Sequence, residues 1–235
     1  MKMFGRLFLL LMLLCFAADI QAGEHEGGKD RGKLQKSASN DVYDFISINN
    51  ILMWISNNGA TSHNPLTDGS GLEWPAGSAK YAIFQDGLIW GGKVEGEIRI
   101  GGSTYVQGLQ AGNIKGDGTP ADANDPTHRI YKVRLVDRDA YGQMTAEERA
   151  RLEKDFLEWP AAIGAPYTDG DNNGSYNPDF DAWLSGDENA DSPWFIGDEV
   201  LWFVSNDLDP SRTTDLYGTA PIGVEVQTLV GGYNQ

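Results

Sequence analysis

The chain has 235 residues, of which 40% are hydrophobic and 22% are charged, and its formal net charge is −16. This length and apolar content suit one large β domain or two small ones, and they exclude a largely disordered chain. The excess of acidic side chains makes nucleic acids and anionic membranes poor partners, whereas divalent cations suit such a surface.

Residues 1–22 have the pattern of a secretory signal peptide. Lys2 and Arg6 precede an apolar run from Leu7 to Ala18. The run is shorter than the ~20 residues that a membrane-spanning helix needs, so we expect the segment to be removed. The protein is therefore predicted to be secreted, outside the cell or on its surface, with no membrane association after cleavage.

The only cysteine, Cys15, lies inside this predicted signal peptide. The mature chain would then have no disulfide, no thiolate nucleophile and no Cys-type zinc site. The loops of an extracellular domain would need another stabilising element, and a bound cation could supply one.

The folded domain is predicted over residues 41–235, after a flexible leader at residues 23–40. The leader is charged, contains glycine and lacks aromatic residues. The segment that follows, VYDFISINNILMWISNNG, predicts either a strand pair or a short helix, because its periodicity fits both.

Two hairpins and a strand are predicted next. Asp86-Gly87 and Gly101-Gly102 each separate two apolar runs, which is typical of hairpin turns. In RIYKVRLV, Tyr131 and Val133 alternate with Lys132 and predict a half-buried strand.

One amphipathic helix is predicted in the middle of the chain. Thr145 and Glu148 have the spacing of a capping box, and Leu152, Phe156 and Trp159 follow on one helical face before a proline. Its neighbours are strands, so we expect a mainly-β, antiparallel, sandwich-like fold with one inserted helix; α+β is the alternative.

The last strong strand signal is DEVLWFVSND. Val200, Trp202 and Val204 would lie on one face, with Leu201 and Phe203 on the other. Apolar residues on both faces predict a central strand covered from both sides.

The segment TDGDNNGSYNPDFD, residues 168–181, is the strongest candidate site. Carboxylates and amides recur at alternate positions around a glycine, the pattern of a calcium-binding loop. The predicted calcium ligands are Asp169, Asp171, Asn173, Ser175 through its carbonyl, Asn177, Asp179 and Asp181. A polar turn whose side chains bond their own backbone is the alternative.

The loop departs from the EF-hand at its closing position. The twelfth residue from Asp169 is Phe180, and a carboxylate, Asp181, comes one residue later. A short helix with Asn177 as N-cap and Pro178 at its first position would allow Asp181 to turn towards the loop.

Three segments together carry a family resemblance: GLEWPAGSAKYAIFQDGLIWGGKVEGEIRIGG, DFLEWPAAIGAPYTDGDNNGSYNPDFD and GDEVLWFVSNDLD. In this order they resemble the amino-terminal region of large secreted surface proteins of Bacteroidota-like bacteria, which are associated with type IX secretion and carry a DxDxNGxYxPxxD calcium-type loop. The resemblance implies calcium positions at Asp169, Asp171, Asn173 and the closing Asp181. It also implies a domain that is unfinished at its carboxy end.

The expected function is a non-catalytic, calcium-stabilised extracellular module with a structural or adhesive role, whose partners are other surface proteins or polysaccharide. The alternative is a carbohydrate-binding or glycoside-hydrolysing secreted protein. Binding would use Trp74, and hydrolysis would use acids between residues 198 and 209 that flank the LWFVS strand.

Overall fold

The computed structural model describes residues 35–36, 42–105 and 107–234. The predicted signal peptide and nearly all of the predicted leader lie outside the described residues. Strands make up 33% and helices 20% of the chain, and the sheets are antiparallel, which confirms the mainly-β prediction.

The structure contains fifteen strands and four α-helices within the described residues. The strands are β1 (Gln35–Lys36), β2 (Val42–Ile46), β3 (Leu52–Ser56), β4 (His63–Asn64), β5 (Gly69–Ser70), β6 (Leu72–Glu73), β7 (Tyr81–Ile83), β8 (Ile89–Val94), β9 (Glu97–Gly102), β10 (Gln110–Ala111), β11 (Tyr131–Arg134), β12 (Tyr167–Thr168), β13 (Ser192–Pro193), β14 (Glu199–Asn206) and β15 (Glu225–Gly232). The helices are α1 (Leu135–Ala140), α2 (Ala146–Leu157), α3 (Phe180–Ser185) and α4 (Pro210–Tyr217).

Two larger sheets form the centre of the fold. The first has the strand order β1-β2-β3-β6-β7. In the second, β14 pairs with β15 along its whole length on one edge and with β10 and β11 on the other. The pairs β4-β5, β8-β9 and β12-β13 form small two-stranded sheets.

Strand β14 is covered on both faces, as its sequence predicts. All eight of its residues are buried. One face packs on helices α2 and α3, through a cluster that includes Trp202, Phe156 and Trp183. The other face carries Leu201 and Phe203 and packs on the first sheet. The order of layers is therefore first sheet, second sheet, helices.

Helix α2 confirms the predicted capping box. The side chain of Thr145 accepts a hydrogen bond from the backbone N–H of Glu148, whose carboxylate accepts one from Thr145 N. Leu152, Phe156 and Trp159 are buried, as their spacing predicts. The sequence predicts two of the four described helices, α2 and the short helix after the acidic loop, whereas α1 and α4 were not predicted.

The strand-pair interpretation of residues 42–59 is confirmed, since β2 and β3 pair antiparallel. The two hairpins were predicted at the wrong turns. Strands β7 and β8, on either side of Asp86-Gly87, do not pair with each other. Instead β8 pairs with β9 across Glu95 and Gly96, which both have positive φ, and Gly101-Gly102 lies inside β9. Gly87 is needed for a different reason: a Cβ there would lie 1.9 Å from the Ser103 carbonyl oxygen.

Two local predictions also need correction. Lys132, expected on the open side of a half-buried strand, is buried, so β11 is covered on both faces. Helix α3 starts at Phe180, and its N-cap is Asp179 rather than Asn177. The helix ends at Ser185, and its C-cap residue, Gly186, has φ +83.

Candidate functional site

The acidic loop connects β12 to α3, and strand pairing brings a distant residue to it. Thr168 in β12 pairs with Ser192 in β13. The residues just beyond this pair, Asp169 and Asp191, are therefore neighbours although they are far apart in the sequence. Asp191 was not among the predicted ligands.

Three carboxylates converge at this point. Asp169, Asp171 and Asp191 each place an oxygen within 4.8 Å of the others. Asp171 is exposed, Asp169 is half-buried and Asp191 is only 2% exposed. The group thus has one side chain fixed in the protein and one open to solvent.

Asp191 is held by two backbone donors from the loop. Gly170 N donates to its Oδ1 at 2.9 Å, and Asn177 N donates to its Oδ2 at 2.8 Å. The buried carboxylate therefore fixes both the beginning and the end of the loop.

Within the loop, backbone N–H groups point at the other two carboxylates. Asn173 N donates to both Asp169 and Asp171, at 3.0 and 3.1 Å, and Gly174 N donates to Asp169 at 2.8 Å. Partial desolvation acts to raise the pKa of Asp171. Hydrogen bonds from Asn173 and Asn177 outweigh it and hold this pKa below its usual 3.8.

Three other predicted ligands, Asn173, Ser175 and Asn177, form hydrogen bonds within the loop. The Asn173 side chain donates to Asp171 at 2.7 Å and to the amide oxygen of Asn177 at 2.6 Å. Ser175 N donates to the side-chain oxygen of Asn173 at 2.8 Å. Both asparagine side chains are thus in contact with the carboxylate group.

Asp179 and Asp181 are not part of the three-carboxylate group. Asp179 caps α3, with its Oδ1 accepting a hydrogen bond of 2.9 Å from Ala182 N. Asp181 is exposed in the first turn of that helix. In the structure the third converging carboxylate is Asp191, and participation of Asp181 stays a prediction.

The group forms no ion pair with a cationic side chain in the part of the chain that the structure describes. Ion pairs there involve other acids, and none joins Lys, Arg or His to Asp169, Asp171 or Asp191. Carboxylates this close repel one another, and hard cations such as Ca²⁺ take six to eight oxygen ligands. The donor set fits such an ion.

The acids that flank β14 form structural contacts. Glu199 is fully buried and accepts hydrogen bonds from Ser47 N and Ile48 N. Asp207 is fully buried and accepts them from the backbone of residues 222–224. The two lie at opposite ends of an eight-residue strand, roughly 20 Å or more apart, whereas paired acids in glycosidases lie at most about 9.5 Å apart.

Of the seven tryptophans, three are buried, two are exposed, and Trp54 and Trp90 are half-buried. Trp159, Trp183 and Trp202 are in the core, as expected. Trp74 is 60% exposed and Trp194 is 49% exposed. Trp74 is next to Pro75, to which it is joined by a cis peptide bond. The exposure of Trp74 makes its side chain accessible from solvent, as the carbohydrate-binding alternative requires.

Comparisons of the chain with family models, with curated proteins and with solved structures gave no match in any of the three. The resemblance to Bacteroidota-like surface proteins accordingly stays an expectation. Within the described residues, no helix is both long and apolar enough to cross a membrane.

Proposed function

We propose that this protein is a secreted, non-catalytic extracellular module, with a structural or adhesive role, whose acidic loop is stabilised by calcium. One observation carries the proposal: the convergence of Asp169, Asp171 and Asp191 without an ion-pair partner among the described residues. Asn173 and Asn177 lie beside the group and could complete the oxygen ligands.

Calcium would act by joining segments that are separate in the sequence. Asp191 precedes β13, whereas Asp169 and Asp171 follow β12. An ion held by all three would lock the β12-β13 pair to the loop that leads into α3. Because α3 supplies Phe180 and Trp183 to the core, the ion would also stabilise the helical layer.

The test is the thermal midpoint of the purified full chain with calcium and with chelator. An ion that binds only the native state stabilises it by RT ln(1 + [L]/Kd), about 2.7 kcal/mol at 100 times the Kd. We expect calcium to raise the midpoint in the unaltered chain and to have no effect in the Asp169→Ala/Asp171→Ala variant.

Asp187→Ala is the matched control. Asp187 is an exposed aspartate that accepts a hydrogen bond from Asn189 N, but it lies outside the carboxylate group. This variant should keep the full calcium shift. A midpoint that calcium leaves unchanged in the unaltered chain, with no heat of binding in a calorimetric titration, contradicts the proposal.

A second candidate function is carbohydrate binding, and the exposure of Trp74 favours it. Sugar rings stack on exposed indole faces. Under this function, soluble polysaccharides should change the tryptophan fluorescence of the chain, and Trp74→Ala should remove the change. A response that persists in Trp74→Ala but is lost in Trp194→Ala would place binding elsewhere.

A further inference from the structure

A lysine and two acids meet in the buried space between the two larger sheets. Lys132 is in β11, Glu199 is in β14 and Asp44 is in β2. Their side chains are 8%, 0% and 3% exposed. Lys132 pairs in register with Leu201, so it shares the inner face of the sheet with Glu199, two residues away.

The ammonium group of Lys132 lies between the two carboxylates. Its Nζ is 2.9 Å from Glu199 Oε1 and 3.4 Å from Asp44 Oδ1. It also donates to the Phe45 carbonyl oxygen at 2.5 Å and lies 4.7 Å from the centre of the Phe45 ring. The amine is thus confined by an aromatic face and by two acids.

Each acid has a different set of further contacts. Glu199 Oε1 accepts no hydrogen bond among the described residues. It lies 2.9 Å from Nζ, but the two groups do not have the alignment of a hydrogen bond. Asp44 Oδ1 accepts from Phe45 N at 2.7 Å, and its Oδ2 pairs with the guanidinium of Arg151. Glu199 Oε1 has no competing donor in the described part of the chain and is nearer to Nζ than Asp44 Oδ1 is, so it can accept a proton once the two groups align, while Arg151 can stabilise negative charge on Asp44.

We propose that Lys132 and Asp44 condense into an intramolecular amide, with Glu199 as the proton carrier. Glu199 first carries a proton from Nζ to Oδ1 of Asp44, so that a neutral amine attacks Cγ of a neutral carboxyl group. Arg151 stabilises the charge on Oδ2, which becomes the amide oxygen. Glu199 then carries a second proton from nitrogen to Oδ1, which leaves as water. One ammonium and one carboxylate are converted to one amide and one water, with no oxidant or co-reactant.

Burial and confinement are what favour this condensation over a simple ion pair. In well-oriented intramolecular reactions, the effective concentration of the attacking group can reach about 10⁵ M or more. Exclusion of water from the space between the sheets disfavours the reverse hydrolysis and also disfavours a separated ion pair. The amide would join the first sheet to the second covalently, in a chain whose single cysteine allows no internal disulfide.

Intact mass spectrometry tests the proposal. The unaltered full chain and Lys132→Arg are purified identically, so that any processing of the amino terminus is the same in both. Arginine keeps the charge but cannot form this amide. The replacement of lysine by arginine alone predicts a fixed mass difference between the two proteins. We expect the measured difference to exceed it by the mass of one water, because the unaltered chain has lost that water. A protease digest should also yield one peptide that joins residues 44 and 132.

Three further variants make the result specific. Asp44→Asn should reach the same final mass as the unaltered chain, because asparagine forms the same amide with loss of ammonia. Glu199→Gln should retain the full uncondensed mass. Lys154→Arg, at an exposed lysine of α2, is the matched control and should still lose one water.

Two outcomes overturn the proposal. One is an unaltered chain that keeps its full mass after days of incubation in the folded state, which would make the cluster an ion pair only. The other is loss of water that persists in Lys132→Arg. The joined peptide is sought in the unaltered chain, so the test remains decisive if a variant fails to fold.

Discussion

Asn177 donates its backbone N–H to Asp191 Oδ2 at 2.8 Å, across fourteen residues of sequence. Since Gly170 N donates to the other oxygen of the same carboxylate, Asp191 contacts both ends of the acidic loop. This side chain has a structural role whether or not an ion is bound.

Asp191→Asn should therefore destabilise the protein even in the presence of chelator. An amide has one accepting oxygen in place of two, so one backbone N–H would lose its partner in a buried position. We expect a loss of about 1–3 kcal/mol in the free energy of unfolding, measured with urea. Asp171→Asn, at the exposed member of the group, should change stability in chelator less. Equal losses in the two variants would show that Asp191 has no special structural role.

The capping box of α2 predicts an effect that depends on two residues together. Thr145→Ala should cost about 1 kcal/mol, because it removes the side-chain acceptor for Glu148 N. Glu148→Ala removes the reciprocal bond to Thr145 N. A double-mutant cycle in urea should give a combined loss that differs from the sum of the two. Strict additivity would mean that the two bonds act independently.

Burial of β14 on both faces predicts that large side chains on either face contribute to stability. Trp202 packs towards the helices and Phe203 towards the first sheet, and each is 1% exposed. Trp202→Ala and Phe203→Ala should each cost about 3–5 kcal/mol. A small loss in only one of them, by chemical unfolding, would show that its face of the strand is open.

Tyr131 predicts a loss of stability at high pH. Burial raises the pKa of its phenol from 10.0 to about 12, and the nearby Arg129 opposes this only in part. In the unfolded chain the phenol ionises first, so its contribution is complete below pH 10 and is lost as the pH rises to about 12. Chemical unfolding across this range should show a smaller decline in Tyr131→Phe than in the unaltered chain. Identical declines would contradict the shift.

Local sequence signals predicted those parts of the structure that depend on neighbouring residues. The capping box, the apolar face of α2 and the two apolar faces of β14 follow from spacing alone, and all three are confirmed. Asp86-Gly87 has the composition of a hairpin turn, but neither residue has positive φ, and composition alone does not identify which strands pair. The prediction failed there because pairing is decided by the rest of the sheet.

In the acidic loop, too, the sequence predicted the contacts between neighbouring residues but not the contact with a distant residue. Its hydrogen bonds between Asp169, Asp171 and Asn173 are local, and the alternating pattern indicated that these residues belong together. Asp191 lies beyond α3 and reaches the loop only because β12 pairs with β13. The same explanation applies to Lys132. The alternation of apolar and charged residues along β11 predicted an exposed side chain, but the first sheet, which is formed by residues distant in sequence, covers it.

The central position of β14 also has a consequence for the order of folding during synthesis. Its partners β10 and β11 are made long before it, and the segments that cover its two faces, β2, β3, α2 and α3, also precede it. None of them can complete the core until residues 199–206 leave the ribosome. Pairing between strands that are distant in sequence slows folding. Most of the chain would therefore expose apolar surface until β14 is in place. A chain that is truncated before Glu199 should be captured by chaperones or proteases.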